Sequence, residues 1–223
     1  MIELKNVTKY FQTQTSRKYI LEDVSMVIPA VNVGILGRNG AGKSTIMRML
    51  GQIEFPNHGK IASRCNFSWP LGLAGGFVTN MTGKANVKFV CNLYGKSEEE
   101  TQEVIAFVRD FSELDSYFDM PLKTYSSGMR GRLGFGLSLA FDFDYMLIDE
   151  TLSVGDARFR QKAKEALRQK IEQCNVLLVS HDMNTLSEIC QAGILVDEGQ
   201  LYYHDNIDDA IKQYQQINTT QGK

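Results

Sequence analysis

One run constrains this 223-residue chain more than any other: Gly37-Arg38-Asn39-Gly40-Ala41-Gly42-Lys43-Ser44-Thr45. It satisfies the pattern G-x-x-x-x-G-K-[ST] at every fixed position, the signature of a phosphate-binding P-loop. The chemistry dictates the residue types. Glycines let the backbone curl until successive N–H groups face one centre. A helix starting just behind the loop adds the positive end of its dipole. Lys43 supplies a cation for the β- and γ-phosphates, and the Ser44 hydroxyl can ligate Mg²⁺. The flanks agree: residues 31–36 read as a buried strand and 46–50 as the start of a helix. Gly37, Asn39, Gly40, Ala41, Gly42, Lys43, Ser44 and Thr45 are therefore the expected nucleotide-binding set, with ATP and Mg²⁺ as the expected ligands.

Periodicity along the rest of the chain extends this into an α/β fold. Ile2 and Leu4 alternate, with Val7 a further candidate, and 24–28 form a second short strand stopped by Pro29. Residues 145–148 and 176–179 are apolar runs too short for helices and read as central parallel strands. Asp197-Glu198-Gly199-Gln200 between two apolar runs is a hairpin signal. From 82 to about 140 the pattern is helical, which suggests a helical lobe inserted in the sheet domain. Ser97-Glu98-Glu99-Glu100 is a capping box, and Val104, Phe107, Val108 and Phe111 are spaced for one helix face. A last helix is expected over about 206–217. Length favours a single domain of this kind over 1–223.

Composition removes some alternatives. A net charge of −2 gives no broad basic surface for nucleic acid. Apolar runs fall short of the roughly 20 residues a membrane helix needs, and the N-terminus has no charged-then-apolar leader. Cys65, Cys91, Cys174 and Cys190 are scattered without a C-x-x-C pair, so reduced thiols in a cytosolic compartment are expected.

A second chemical signal is Asp149-Glu150, directly after the 145–148 strand. A carboxylate at a strand's C-terminal end can hold Mg²⁺, and its neighbour can act as general base on the attacking water. A third is Tyr125-Ser126-Ser127-Gly128-Met129 at the head of a helix. A serine hydroxyl with free helix N–H groups makes an anion site, although a serine cap by itself is routine.

In this order and spacing the motifs resemble the ATP-binding subunits of ABC transporters. The signature L-S-G-G-Q is matched at Ser126 and Gly128, Ser153-Val154-Gly155-Asp156 resembles the D-loop, and Val179-Ser180-His181-Asp182 resembles the switch-histidine segment. The resemblance covers residues 1–205. It implies an ABC-type nucleotide-binding domain with a mainly parallel core sheet, an antiparallel β subdomain and an inserted helical lobe. It implies Glu150 and His181 as catalytic residues, Ser44 and Asp149 as metal ligands, and Asp156 as the D-loop aspartate. Ser126, Ser127 and Gly128 would act in trans, on ATP held by the P-loop of a second copy in a head-to-tail dimer. An aromatic before the P-loop stacks on adenine in this family; Phe11 matches best, with Tyr10 and Tyr19 as competitors.

The chain departs from the family in several places. No glutamine lies between Ser63 and Ser97, where the Q-loop belongs. Ser127 and Met129 replace the second glycine and the glutamine of the signature, and Thr151 stands where proline often follows the catalytic glutamate. Three less generic stretches, 67–77, 117–130 and 154–159, look like the ATP-binding subunits of bacterial capsular polysaccharide exporters, with O-antigen and teichoic acid exporters as further relatives. Because the chain ends soon after its sheet, no added carbohydrate-binding domain is expected. The glycine- and aromatic-rich stretch 69–81 has two equal readings: a flexible glycine loop, or, since the resemblance puts it where the family forms a groove for its membrane partner, a docking groove with an exposed aromatic such as Trp69 or Phe77 as anchor. The expected function is ATP hydrolysis that powers capsule export from the cytoplasmic face of the inner membrane. The expected partners are a permease and, indirectly, periplasmic and outer-membrane components. The competing readings are a soluble ABC-type clamp on nucleic acid or ribosomes and, last, a small-molecule kinase.

Overall fold

The bulge at Asn6 shows how sequence pattern becomes architecture. In a computed structural model describing residues 1–70, 76–149 and 155–220, β1 (Ile2–Gln12) buries Ile2, Leu4, Val7 and Lys9. The alternation skips one position between Leu4 and Val7, because Asn6 adopts φ 49° and shifts the register against β2 (Arg17–Ile28). The Asn6 N–H donates to Ser25 Oγ at 2.9 Å and its Nδ2 to Asp23 Oδ1 at 3.0 Å, which satisfies the groups the bulge removes from the ladder. The second strand is much longer than the 24–28 segment its apolar run suggests: it begins with three exposed residues, Arg17, Lys18 and Tyr19, followed by the buried pair Ile20 and Leu21, a pattern without strand alternation. Together with β4 (His58–Ser63), these strands form an antiparallel sheet in the order β2-β1-β4.

The second sheet has the order β5-β6-β3-β7-β8, formed by β5 (Tyr145–Asp149), β6 (Asn175–Val179), β3 (Val33–Gly37), β7 (Ala192–Asp197) and β8 (Gln200–His204). All pairings are parallel except β7–β8. That hairpin turns through Glu198 and Gly199, both at positive φ, as the two-residue loop requires. β3 is the middle strand and is buried along its whole length. Residues 66–68 run beside β5, and Leu147 N–H donates to the buried Ser68 Oγ at 2.9 Å. Helices α1 (Lys43–Leu50), α6 (Met183–Ile189) and α7 (Ile207–Thr220) complete this part of the chain.

The chain divides into two compact units. One comprises 1–70, 143–150 and 173–223 and holds both sheets; the other comprises 71–142 and 151–172. The second contains α2 (Gly83–Leu93), α3 (Glu98–Ser112), α4 (Ser127–Leu139) and α5 (Ala157–Ile171). The capping box forms as the sequence requires: Ser97 Oγ accepts from Glu100 N–H at 3.2 Å, and Ser97 N–H donates to Glu100 Oε2 at 2.7 Å.

Two expectations are corrected here. Phe107 lies off the centre of the buried face of α3, which is made by Thr101, Val104, Ile105, Val108 and Phe111; it is exposed and stacks on Phe111. Trp69 and Phe77 are not exposed anchors but half-buried. Trp69 sets its ring edge-on against Phe143 at 5.4 Å, and Phe77 packs over Gly134, where the missing side chain leaves room for its ring.

Candidate nucleotide site

The candidate site begins at the C-terminal ends of the parallel strands. In such sheets the ends of neighbouring strands open onto one crevice. β3 delivers the P-loop there, β5 delivers Asp149, and β6 ends at Val179, paired to both Ile35 and Asp149. A cleft of about 470 Å³ is lined by Asn39, Gly40, Gly42, Lys43, Ser44 and Thr45 together with Asp149, Val179 and His181. Gly37 closes the end of β3 beneath the loop, and Ala41 braces the turn through its N–H to the Arg38 carbonyl at 3.1 Å.

The backbone shape of the loop follows from its glycines. Gly40 and Gly42 sit at φ 77° and 96°, a region that side-chain-bearing residues avoid. Gly42 is the N-cap of α1 and offers no side chain to cap it, which leaves the first-turn N–H groups available to an anion. The Lys43 ammonium is almost buried and donates to the carbonyls of Gly37 at 2.7 Å and Arg38 at 3.1 Å. His181 lies just beyond β6. Its backbone is fixed on both sides: Ser180 Oγ accepts from Asp182 N–H, and the Asp182 carboxylate caps α6. Ser44 and Asp149 share the cleft as hard oxygen donors. No cluster of three or more His, Cys, Asp or Glu side chains capable of holding a metal occurs among the described residues. That donor set fits a cation that takes its remaining ligands from phosphate and water.

Strand register decides which aromatic faces the cleft. Phe11 pairs with Lys18 across the β1–β2 hairpin, and both line the cleft beside Ile20. Tyr10 and Tyr19 pair with each other on the opposite face, where Arg17 covers the Tyr10 ring at 4.5 Å. Behind Phe11, the Lys9 ammonium lies 5.2 Å from the ring centroid. Lys9 also bonds Glu54 at 2.8 Å and the Phe55 carbonyl at 2.9 Å. Burial opposes ionisation of Glu54, but hydrogen bonds from Lys9 and Arg48 outweigh it and hold the carboxyl below its ordinary range.

The signature segment lies in the other unit. Ser126 caps α4 by accepting from Met129 N–H at 3.2 Å, and with Gly128, Tyr117 and Arg132 it lines a separate hollow of about 510 Å³. Ser127, the first residue of α4, is exposed. Asp156 caps α5 through Phe159 N–H at 2.9 Å and takes a 2.8 Å bond from Arg132. The Phe159 N–H chiefly, and the Arg132 charge besides, hold its carboxyl below the usual range. Glu150, Thr151, Ser153 and Val154 lie outside the described residues, as do residues 71–75 of the glycine-rich stretch.

Sequence reasoning missed Lys18, Ile20 and the Lys9–Glu54 brace. The signal was the hairpin register: pairing 2–12 with 17–28 puts Lys18 opposite Phe11. The apolar run at 24–28 had drawn the strand too short to reveal it.

Comparison with known proteins places this architecture. The family model for the ABC transporter matches residues 21–153. The chain is 49% identical to the polysialic acid transport ATP-binding protein KpsT of Escherichia coli over 96% of each chain. It is 38% identical to the capsule polysaccharide export ATP-binding protein CtrD of Neisseria meningitidis serogroup B, over 97% of this chain and all of that one. Among solved structures it resembles the ATP-binding cassette MJ0796, determined as a dimer with ADP and Pi, at a TM-score of 0.76 and 21% identity over 93% of this chain and 99% of that one. The chain belongs to the ABC transporter family, as one of its ATPase domains.

Proposed function

We propose that this chain is the ATPase that powers export of capsular polysaccharide. The similarity to KpsT and CtrD over nearly the whole length carries the reading, because those proteins are named for polysialic acid transport and capsule polysaccharide export. Two copies associate head to tail, and each ATP is held by the P-loop of one copy and the Ser126 cap of the other. The pair docks on a transmembrane permease at the cytoplasmic face of the inner membrane, and periplasmic and outer-membrane export components act indirectly. No described helix is long and apolar enough to cross a membrane, in keeping with a peripheral subunit.

Within each site, Phe11 stacks on adenine, and the amides of Gly40–Ser44 with the Lys43 ammonium take the β- and γ-phosphate oxygens. Ser44 and Asp149 would hold Mg²⁺, which supplies charge neutralisation at the phosphates. Glu150 accepts a proton from the attacking water as its oxygen bonds to the γ-phosphorus. The bond from that phosphorus to the β–γ bridging oxygen breaks and leaves ADP. His181 and the Ser126 hydroxyl of the second copy donate to the γ-phosphate oxygens as charge builds there. Phosphate release reopens the pair and resets the permease.

The deciding test is genetic replacement. In cells lacking this chain, the wild-type copy restores surface polysaccharide, whereas Lys43→Ala folds but neither binds ATP nor restores export. Normal export with Lys43→Ala would overturn the proposal. Recovery of the chain on ribosomes or nucleic acid rather than with a membrane protein would favour the soluble-clamp reading instead.

A further inference from the structure

Lys18 stands out among the residues around the P-loop cleft. It is exposed, it lines the cleft, and its side chain makes no hydrogen bond, ion pair or ring contact with a described residue. The other lysine lining the cleft, Lys43, is already bonded to loop carbonyls. A lone surface lysine is ordinarily just solvated. The position of this one is the argument.

Two relations locate it. Lys18 is the cross-strand partner of Phe11, so both side chains leave the hairpin on the same face. Ile20, two residues along that face, lies directly against Gly42, since a Cβ built on Gly42 would overlap the Ile20 side chain. Two strand residues span about 6.6 Å. Lys18 therefore stands roughly one lysine side chain away from the P-loop backbone and next to the aromatic platform. In a nucleotide laid from Phe11 to the P-loop, the part that passes this point is the α-phosphate, between the stacked base and the β-phosphate gripped by the loop. A strongly hydrated point charge on a flexible stem meets an anion there without a large desolvation cost.

We propose that Lys18 is a further nucleotide-binding residue and that its ammonium contacts the α-phosphate. The inference rests on reading the cleft as the ATP site. It adds a contact common to ATP and ADP, unlike that of His181, whose γ-phosphate contact ends at hydrolysis. Lys18 thus sets residual affinity for the product and governs how readily ADP leaves.

The test compares Lys18→Met and Lys18→Arg with wild type, using full-length protein and equilibrium titrations with ATP and with ADP. Lys18→Met weakens both nucleotides by the same factor, about tenfold, as expected for one charge-assisted hydrogen bond. Lys18→Arg restores most of the loss, and raised salt narrows the gap between Lys18→Met and wild type. A larger loss for ATP than for ADP would move the contact to the γ-phosphate and overturn the assignment. Unchanged affinity for both, or equal losses that Lys18→Arg fails to rescue, would also overturn it. Should wild-type protein itself bind neither nucleotide, the reading of the cleft fails instead, and that result is distinct from any of these. Because Lys18 is exposed and makes no hydrogen bond or ion pair with a described residue, the variants are expected to keep the wild-type melting temperature.

Discussion

Phe11 and Tyr10 are neighbours in sequence, yet the pleat sends them to opposite faces of one strand. Phe11 faces the P-loop with Lys9 behind its ring, whereas Tyr10 packs with Tyr19 and Arg17 on the other side. Base stacking on an aromatic ring contributes about 1–3 kcal/mol. Phe11→Ala is therefore expected to weaken ATP binding by about tenfold or more, and Tyr10→Ala to leave it within about twofold. Equal losses from the two, measured by nucleotide titration, would contradict the register argument. The loop glycines separate in the same way. Gly40 and Gly42 share the left-handed backbone, but a Cβ on Gly40 meets nothing within 4 Å, whereas on Gly42 it strikes Ile20. Gly40→Ala carries only the backbone strain, about 1 kcal/mol. Gly42→Ala adds a clash that forces β2 and the loop apart, just where helix N–H groups should meet phosphate. We expect Gly42→Ala to melt several degrees below Gly40→Ala and to lose ATP binding. Thermal denaturation with and without ATP distinguishes them, since only a binding variant is stabilised by nucleotide.

Elements present the candidate residues at their ends rather than on their faces. β3, β5 and β6 deliver the P-loop, Asp149 and the approach to His181 from their C-terminal ends, and α4 and α5 carry Ser126 and Asp156 as their caps. A cap that also binds phosphate has two separable roles. Ser126→Asp keeps an acceptor for the Met129 N–H, so the melting temperature should stay close to wild type. The same carboxylate repels the γ-phosphate, and turnover should collapse. Ser126→Ala does the reverse in kind: it costs about 1 kcal/mol of helix stability, or about 2–4 °C, and loses a single donor to phosphate. Turnover at wild-type rate in Ser126→Asp would leave the serine as a cap and nothing more. The end-loaded layout also explains what was legible in the sequence. Buried parallel strands are short unbroken apolar runs, so 31–36, 145–148 and 176–179 announced themselves, and the P-loop, Asp149 and His181 followed as their sequels. The hairpin at Glu198-Gly199 and the capping box at Ser97 were equally plain, because each is a local rule met by adjacent residues. Lys18 and the Lys9–Glu54 brace were not legible. They depend on which residue of one antiparallel strand faces which residue of the next, and successive register shifts between Leu4 and Val7, Val7 and Lys9, and Lys9 and Tyr10 change that pairing without an apolar signature. The half-burial of Trp69 was equally hidden, because Phe143, its partner, is distant in sequence.

At the scale of the whole molecule, the two halves of the proposed reaction centre belong to different compact units of the chain. The P-loop cleft is built from the sheet-bearing unit and the Ser126 hollow from the helical one. If ATP joins the cleft of one copy to the cap of another, nucleotide and second copy are linked ligands, each raising affinity for the other by the same factor. Hydrolysis would hide this linkage, because a γ-phosphate bridging the copies is consumed. Glu150→Gln removes the proposed proton acceptor while keeping the side chain's size, so ATP should remain bound and the pair should accumulate. We expect Glu150→Gln to sediment as a dimer with ATP and as a monomer with ADP, with turnover reduced by about a hundredfold or more. Adding Ser126→Asp to the same chain should return it to a monomer even with ATP, since the carboxylate then faces the bridging phosphate. Wild-type turnover in Glu150→Gln would displace the general base from that position. A Glu150→Gln chain that stayed monomeric at saturating ATP would separate the chemistry from pairing and require the ATP to be sealed from water within one copy.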